Sequence, residues 1–325
     1  MIQRGQGYIL QEISMQHQVS QRVMTREEYF EQLELDFRYA RNVNDRRLAG
    51  ENIPEFDVRS RPYDSALRYS PHARDEDFVY LRKWLKPQPG EVGADFAAGT
   101  GLITFPTAEV TGATTYAIDP SKGQLEMLER ERDSRGASAA NVVPIHVFPD
   151  SKTFFEEIED KYDLDLEGQL DYITSYGGIH HSMDQLTLFS NGLRMLRPGG
   201  RIVVADVGMG TSLARYFDNF VSPNCLTGHV GNWLSRKRLH QLSQELPMKV
   251  TRVKLEPVTW HFEDILETSN FLKGLHCDDR SSLRQISDGV EKYLKYKHEP
   301  RIHDISMNWH MLFSKMVKTE GRVAV

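Results

Sequence analysis

The chain has 325 residues, 39% of them hydrophobic, and a formal net charge of −6. This length exceeds one minimal domain, so insertions or an extra helical element are expected around the core. The mild acidity argues against a nucleic-acid partner, and the chain has no apolar run of the roughly 18 residues that suggest a membrane span. The N-terminus lacks the apolar core of a signal peptide. The cysteines, Cys225 and Cys277, form neither a disulfide framework nor a zinc motif, which favours a reducing cytoplasm.

The N-terminal segment differs in composition from the rest of the chain. Residues 1–24 are rich in glutamine and lack a hydrophobic period, which suits a mobile or oligomerisation arm. Thr25 and Glu28 have the spacing of a capping box, which predicts a helix from there to about Arg47. Apolar residues at helical spacing give this helix one stripe: Phe30, Leu33, Phe37 and Ala40.

Residues 48–62 are polar and contain proline, so they are predicted to form a flexible linker. We therefore divide the chain into a helical arm with its linker, residues 1–74, and a main domain, residues 75–325, which opens with a helix over 75–85. A helix with so narrow an apolar stripe must bury it, either on its own core or, through the flexible linker, on a partner subunit. We expect a homo-oligomer formed through this arm.

The most informative stretch is residues 91–101, which read Glu-Val-Gly-Ala-Asp-Phe-Ala-Ala-Gly-Thr-Gly. A short apolar strand runs into Asp95, and a glycine-rich turn then opens a helix near Leu102. Glycine at 99 and 101 allows a tight turn on which a ligand can lie directly against the main chain. The N-terminus of the new helix directs free N–H groups towards the same turn.

A second strand, residues 114–118, ends in Asp119, which is well placed to accept hydrogen bonds from a ribose diol. These features predict a nucleoside-binding α/β domain. A dinucleotide fingerprint would require a third glycine at Thr104. Asp95 would also repel a pyrophosphate, whereas it suits a cationic ligand that carries an amino group.

The spacing Asp95-x-Ala-Ala-Gly-Thr-Gly resembles the first motif of the class I S-adenosylmethionine-dependent methyltransferases, with Ala97 in place of its first glycine. The resemblance implies an α/β fold with a Rossmann-like seven-stranded sheet and helices on both faces, and S-adenosyl-L-methionine as cofactor. It also implies these cofactor-binding residues: Asp95, Ala97, Gly99, Gly101, Asp119, Pro120, Asp150 and Ser175.

The remainder of the chain supports the resemblance in sequence order, over roughly residues 75–320. Further strands are predicted over residues 142–148, 170–175 and 201–207. A helix over residues 184–196 is predicted to begin with a capping box formed by Ser182 and Gln185. It ends at Arg-Pro-Gly-Gly, which cannot continue a helix. This joint is similar to the one that precedes the fifth strand in the family.

The C-terminal third is expected to complete the sheet and to cover the site. Residues 249–260 and 305–317 alternate in hydrophobicity and are predicted to form the sixth and seventh strands. The seventh would place four apolar side chains on one face: Met307, Trp309, Met311 and Phe313. The segment between these strands, residues 261–303, is predicted to form a lid insertion over the active site.

Two adjacent histidines, His180 and His181, follow the fourth predicted strand, where the resemblance places the loop beside the reactive methyl group. Imidazole titrates near neutrality, so either residue is a candidate catalytic base. His180, His181 and Asp184 could also bind a metal. However, adjacent histidines at the end of a strand are expected to point to opposite sides, so no metal is predicted.

Other polar and aromatic side chains could reach the acceptor. The candidates for substrate contact are Tyr69, His229, Trp260 and His276. Tyr63, His261 and Glu263 could also reach the pocket, although such residues more often pack or face solvent. Cys277 invites a catalytic interpretation, but a small side chain packed in the lid is favoured.

The sequence therefore predicts methyl transfer from S-adenosyl-L-methionine to a small-molecule acceptor, through a carbon, oxygen or nitrogen nucleophile. We expect a cytoplasmic enzyme of natural-product biosynthesis, without nucleic-acid or membrane partners. Two alternatives remain: a protein of this fold that acts as a cyclase, and a relative that modifies protein or RNA. Transfer of a labelled methyl group to metabolites would separate these classes.

Overall fold

The computed structural model of the protein describes residues 23–299 and 304–320. Its α-helices are α1 Arg26–Leu48, α2 Glu55–Tyr69, α3 Asp75–Leu85, α4 Thr104–Thr111, α5 Lys122–Arg135, α6 Phe154–Tyr162, α7 Gln185–Met195, α8 Ser212–Tyr216, α9 Ser222–Asn224, α10 Arg236–Glu245, α11 Ile265–Leu275 and α12 Leu283–Tyr293. Its strands are β1 Gly93–Phe96, β2 Thr115–Asp119, β3 Val142–His146, β4 Leu170–Tyr176, β5 Leu196–Asp206, β6 Met248–Glu256, β7 Thr259–Phe262, β8 Tyr296–Glu299, β9 Asp304–Asn308 and β10 Met311–Lys318. Shorter helical segments are the 3₁₀ turns Gly136–Ala139 and Ile179–His181 and the π segment Phe217–Val221.

Seven strands form the main sheet in the order β3-β2-β1-β4-β5-β10-β6. Strands β1 to β5 are parallel, and β10 is antiparallel to both of its neighbours. Strands β2 and β3 lie on one side of β1, and β4 and β5 lie on its other side. Sheets of this type bind ligands at this switch in strand order, outside the carboxyl ends of the strands. The predicted seven-stranded α/β sheet is confirmed.

The sheet is buried on both faces, as its apolar strands predict. In β5, Val203 and Ala205 pack in one hydrophobic cluster, which includes residues of α3 and α8. The alternate residues Ile202 and Val204 pack in a second cluster with residues of α6, α7 and α10. This alternation follows from the period of two in a strand, and it places helices on both faces.

Helix α1 begins at the predicted capping box. The Glu28 amide donates to Thr25 Oγ1 over 3.2 Å, and the Thr25 amide donates to Glu28 Oε2 over 2.9 Å. The predicted apolar stripe is correct except at its first position, because Phe30 is 40% exposed while Tyr29 is fully buried. Tyr29 is amphipathic, and its hydroxyl is satisfied in the core by the Asn270 carbonyl at 3.0 Å.

Helix α1 buries this stripe within its own chain. The Tyr29 ring stacks on the ring of Tyr69 with centroids 4.1 Å apart, and Arg26 pairs with Asp264 at the start of α11. Packing against α2 and α11 therefore supplies the apolar contact for which a partner subunit was expected. Most of the glutamine-rich arm, residues 1–22, lies outside the described residues, and the homo-oligomer stays a prediction.

The predicted linker over residues 48–62 is wrong from Glu55 onwards, where α2 begins. Pro54 is its N-cap and Pro62 lies inside it. Helix propensity and polarity argued for a loop here, but several polar side chains of α2 are buried by tertiary contacts. Among them, Ser65 donates to Asp36 Oδ2 of α1 over 2.6 Å, and Arg59 is 3% exposed.

Both C-terminal strands are interrupted, contrary to the two continuous strands predicted. The first divides into β6 and β7 around Pro257, and the second divides into β9 and β10 around Trp309 and His310. Strands β7, β9 and β8 form a separate antiparallel sheet, whereas β6 and β10 remain in the main sheet. Proline lacks an N–H for a strand ladder, and the Trp309 amide instead donates to the Val258 carbonyl over 2.8 Å.

The lid insertion contributes β7, β8, α11 and α12, together with residues 300–303, which lie outside the described residues. Helix α11 is capped by Asp264, which accepts from the Glu267 amide over 2.6 Å. Helix α12 begins at a capping box formed by Ser282 and Gln285. The end of α11 places Leu275 and His276 in the lining of a cavity at the carboxyl edge of the main sheet.

Helix α7 does not use the predicted capping box. Its N-cap is Asp184, whose carboxylate accepts from the Thr187 amide over 3.0 Å. Ser182 instead donates to Asp150 Oδ2 over 2.7 Å. An aspartate and a serine are both good N-caps, so sequence alone cannot select between them.

Within the described residues, no helix combines the length and apolar character that a membrane crossing requires.

Candidate active site

A cavity of about 300 Å³ opens at the carboxyl edge of the sheet, beside β1, β2 and β4. One part, the glycine-loop end, is formed by the turn after β1 and by the end of β2. The other part, the histidine end, is formed by the turn after β4 and by residues of α2, the lid and the loop before α10. Both ends belong to a single cavity.

The turn after β1 has left-handed backbone at Ala97, Gly99 and Gly101, with φ values of 56°, 56° and 91°. Alanine in this conformation costs about 1–2 kcal/mol, which glycine would avoid. The methyl group of Ala97 lies against Gly178 of the turn after β4, where any added Cβ would come within 2.3 Å of it. The loops after β1 and β4 are thus in close contact at this point.

We expect Ala97→Gly to raise the free energy of unfolding by about 1 kcal/mol, because the left-handed backbone no longer carries a Cβ. The neighbouring Ala98, which has no left-handed backbone, provides the matched control. Ala98→Gly should destabilise, since it adds backbone freedom to the unfolded chain. Denaturant unfolding measures both. Equal destabilisation by the two variants would show that Ala97 carries no strain.

Asp119 holds the glycine-rich turn through its carboxylate. One oxygen accepts from the Gly99 amide and the other from the Ser121 amide, each over 2.8 Å. Each carboxylate oxygen keeps a lone pair for another donor, such as a ribose hydroxyl. Burial raises the pKa of Asp119 to about 6, and the two amide hydrogen bonds oppose this shift.

Asp95 lies at the end of β1 and is 2% exposed. It accepts from the hydroxyls of Thr104 and Thr174 at 2.7 and 3.0 Å. Burial raises the pKa of Asp95 to about 7, because neither hydroxyl compensates fully for lost solvation. A cation at this position would stabilise the ionised form.

The glycine-loop end has polar atoms without partners, which suits a polar ligand. Both amide atoms of Gln124 and the hydroxyl of Ser175 are buried and lack hydrogen bonds, and both residues line the cavity. Such groups are costly to bury unless a ligand or water satisfies them. The residues present therefore fit a nucleoside ligand of the predicted kind.

Most of the predicted cofactor residues line this cavity: Asp95, Ala97, Gly99, Asp119, Pro120, Asp150 and Ser175. Gly101 does not line it. A Cβ at Gly101 would come within 2.4 Å of the Phe105 ring, so glycine is required there for packing and for its backbone angle.

At the histidine end, His180 is fixed by Asp206 at the carboxyl end of β5. The His180 amide donates to Asp206 Oδ2 over 3.0 Å, and its Nδ1 lies 2.6 Å from Oδ1. A carboxylate accepts only, so Nδ1 carries a proton, and in the neutral imidazole Nε2 then presents a lone pair. Nε2 is buried and has no hydrogen-bond partner.

The expectation that His180 and His181 point to opposite sides is wrong. Both lie in the 3₁₀ turn after β4 rather than in the strand, and their ring centroids are 4.0 Å apart. His229 joins them, at 5.3 Å from His180 and 4.9 Å from His181. Burial lowers the pKa of both His181 and His229 well below the usual range. Asp184 takes no part in this cluster because it caps α7.

Aromatic side chains form the walls around these histidines. The Phe56 ring meets His181 edge-on at 4.7 Å, and the Trp233 ring stacks parallel to His229 at 5.8 Å. Trp260 lines the cavity as predicted, stacked on Trp309 at 3.8 Å. The histidine end of the cavity therefore has several aromatic side chains in and around its lining.

Two other predicted substrate residues, His276 and Tyr69, lie in different parts of the structure. His276 lines the cavity, and burial lowers its pKa to about 3. Tyr69 does not line it, because its ring packs between α1 and α2 against Tyr29. Cys277 lies in the same helix contact, where burial raises the pKa of its thiol, so the packing interpretation is supported over a nucleophile.

Several lining residues were not predicted as site residues, among them Phe56, Arg59 and Arg74. Phe56 and Arg59 belong to α2, which was interpreted as a linker. Arg74 donates to Asp77 over 2.8 Å and to the Tyr63 hydroxyl over 3.0 Å. Asp206, which orients His180, ends a buried strand just as Asp95 and Asp119 do. That shared position could have identified it.

The chain matches a family described as "Methyltransferase domain" over residues 94–202. Phosphoethanolamine N-methyltransferase 2 of Caenorhabditis elegans is 26% identical over 145 residues, which cover 43% of this chain and 29% of that protein. Demethylmenaquinone methyltransferase of a Geobacillus strain is 27% identical over 154 residues, which cover 43% of this chain and 58% of that protein. The matches extend over 29–58% of the length of the curated relatives.

Solved structures with the same fold include the Haemonchus contortus phosphoethanolamine N-methyltransferase 2 complex with S-adenosylhomocysteine. It has a TM-score of 0.53 and 17% identity, and it covers 82% of this chain and 58% of that one. Geranyl diphosphate C-methyltransferase of Streptomyces coelicolor, solved with Mg²⁺ and S-adenosylhomocysteine, has a TM-score of 0.50 and 12% identity. It covers 79% of this chain and 84% of that one. At this identity the structures establish the fold, which is the one that the sequence motif predicted.

Proposed function

Because the chain has the domain and the fold of the class I S-adenosylmethionine-dependent methyltransferases, we propose that it methylates a small molecule. The observation that carries this proposal is the single cavity that joins the glycine-loop end to the histidine end. The first end has the groups that a nucleoside requires, and the second has imidazoles and aromatic walls for an acceptor. A methyltransferase must hold its two ligands in this way, side by side and away from water.

In this proposal the glycine-loop end holds the cofactor. Asp95 faces the amino-acid part, Asp119 accepts from the ribose hydroxyls, and Asp150 lies near the adenine amino group. Gln124 and Ser175 then use buried atoms that otherwise lack partners. S-adenosyl-L-methionine, when bound, supplies a methyl group already activated on a sulfonium. The protein therefore has to orient the acceptor and handle its proton.

The histidine end holds the acceptor. Helix α2 and the lid enclose it, with Phe56 from one and His276 from the other in the same lining. An enclosed space with aromatic walls suits a small molecule with an apolar or planar body, and it does not suit a folded macromolecule. We propose a natural-product acceptor on this basis. A cytoplasmic location stays a prediction.

His180 is the residue best placed to receive a proton from the acceptor. Its Nδ1–H is fixed by Asp206, so its free Nε2 acts as the accepting atom within the cavity. His181 has a lowered pKa and lies against it. His181 therefore stays neutral at physiological pH and can also accept a hydrogen bond.

Cofactor binding should release a proton near pH 6. The raised pKa of Asp95, about 7, means that the free protein keeps a proton there that an unfolded chain has lost. This proton stabilises the fold at low pH, and that contribution disappears as the pH rises through 7. The cationic amino group of the cofactor favours the ionised carboxylate, so affinity should increase from pH 5 to 7.

Calorimetry in two buffers of different ionisation enthalpy measures the proton count directly. S-adenosylhomocysteine, which retains the amino group, is a suitable ligand. Asp95→Asn should remove most of the release, while Asp119 contributes a smaller part. Proton uptake by the wild-type protein, or a release that is unchanged in Asp95→Asn, would contradict the assignment.

The proposed function is tested with S-adenosylmethionine that carries a labelled methyl group. Wild-type protein incubated with fractionated metabolite extracts should transfer label to a molecule of low mass. His180→Ala, which leaves the glycine-loop end intact, should bind the cofactor without this transfer. Label that appears on protein or RNA, or that stays on a tightly bound cofactor in every fraction, would reject the small-molecule function.

A further inference from the structure

Three imidazoles from two separate chain segments meet at the histidine end. His180 and His181 come from the turn after β4, and His229 comes from the loop before α10. One ring nitrogen of each lies within 4.8 Å of a ring nitrogen of the other two. All three residues line the cavity. Such a cluster of ring nitrogens can donate lone pairs to a cation, which is a role separate from proton transfer.

Two nitrogens of these histidines lack a hydrogen-bond partner among the described residues. His180 Nε2 and His229 Nδ1 are buried without hydrogen bonds. A buried polar atom left in this state costs roughly 1–3 kcal/mol, so the arrangement needs a compensating contact. The proton on His180 Nδ1 is held by Asp206, so in the neutral imidazole Nε2 offers a lone pair to an ion. A carboxylate in this position commonly orients a metal-binding histidine.

The segment that carries His229 is fixed against its neighbours. The Asn232 amide donates to the His180 carbonyl over 2.8 Å, and Gln185 Nε2 donates to the Asn232 carbonyl over 2.9 Å. Arg59 of α2 donates to the Thr227 hydroxyl over 2.6 Å and to the Gly228 carbonyl. The loop is therefore held on both sides of His229, and the three rings are brought together by backbone contacts.

We propose that His180, His181 and His229 bind a first-row transition metal ion, with zinc as the reference case. Neutral imidazole suits Zn²⁺ and Fe²⁺, whereas Mg²⁺ and Ca²⁺ prefer oxygen ligands. Asp206 supplies a negative charge next to the site. The nearby guanidinium of Arg59 is paired with Glu55 at 3.1 Å, so its charge is partly compensated.

The geometry needs little adjustment to hold such an ion. Zinc–nitrogen distances of about 2.0–2.1 Å in a tetrahedral site place the ligand atoms about 3.4 Å apart. The ring nitrogens of the three histidines lie within 4.8 Å of one another, so they must approach by up to about 1.4 Å to reach this spacing. Three protein ligands would leave a coordination position open, as in catalytic zinc sites, and all three histidines line the cavity.

The open position gives the site a role with the acceptor, and this part of the inference rests on the proposed function. An acceptor oxygen, nitrogen or sulfur that binds the ion loses its proton more readily, because the cation stabilises the anion. The proton passes to solvent, and the electron pair stays on the bound atom. The histidines then act as ligands, so the acceptor class becomes one with an acidic group that can bind a metal.

Metal binding is tested on the full-length protein without any acceptor. Chelator-treated protein is titrated with Zn²⁺ in a competition assay and with Co²⁺ by visible absorption. We expect one ion per chain, Co²⁺ bands typical of nitrogen ligands, and no competition from Mg²⁺. Asp206→Asn should weaken binding about 10–100-fold, as loss of such an orienting partner does. His229→Ala should weaken it further.

His276→Ala is the matched control, because His276 is a buried histidine of the same cavity that does not belong to the cluster. It should bind zinc as the wild type does. Binding of S-adenosylhomocysteine confirms that each variant is folded. If Asp206→Asn does not fold, His229→Ala provides the test. Failure of the wild type to bind zinc or cobalt, or equal loss in His276→Ala, would overturn the site. That result would not overturn the proposed methyl transfer, which is measured separately.

Discussion

Replacing Asp119 with alanine is expected to weaken binding of S-adenosylhomocysteine by about 1–3 kcal/mol, roughly 5- to 150-fold. The variant loses the acceptor for the ribose hydroxyls. It also leaves the amides of Gly99 and Ser121 without the carboxylate that accepts from them. The glycine-rich turn is then less well ordered before the ligand arrives, so part of the loss is preorganisation.

Calorimetry measures this effect, and Asp119→Asn separates its two causes. Asparagine keeps the size of the side chain and one oxygen acceptor, so it should retain part of the affinity. A surface change, His240→Ala, controls for general effects. Unchanged affinity in a folded Asp119→Ala protein would show that the ribose binds elsewhere.

Replacing His180 with alanine is expected to lower kcat by about 10²–10⁴, with cofactor affinity unchanged. The reason lies in its contacts, since Asp206 fixes the ring and leaves Nε2 free in the cavity. Turnover is measured with the acceptor identified by methyl labelling. A ligand role for His180 predicts the same loss of turnover, but together with loss of the metal.

His181→Ala completes this test, because the two rings are in contact and one could replace the other. If both variants keep turnover near that of the wild type, proton removal belongs to another group or to solvent. A large rise in KM with constant kcat would instead show that His180 binds the acceptor equally well in the ground state and in the transition state.

The arrangement of the glycine-loop end of the cavity could be predicted from the sequence because it is local. Asp95 and Asp119 each end a strand, and parallel strands bring their carboxyl ends to one edge. The glycines between them are required by backbone conformation, which depends on few neighbours. The position of His180 and His181 after β4 follows from the same rule.

The histidine end could not be predicted in the same way, because it depends on packing between distant segments. His229 joins the histidines through the contact between Asn232 and His180, and no spacing in the chain encodes that approach. Helix α2 was missed because its polar side chains are buried by tertiary contacts. A period-two pattern also continues across Trp309, where the strand is broken.

Helix α2 touches both ends of the cavity. Asp57 accepts from the Ser121 hydroxyl over 2.5 Å and from the Gly123 amide over 2.9 Å, beside the glycine-rich turn. Two residues further on, Arg59 holds the loop that carries His229. Because one helix contacts both ends, we expect a ligand bound in the cavity to reduce local opening of α2. Slower amide exchange in α2 when S-adenosylhomocysteine is bound would reveal this coupling.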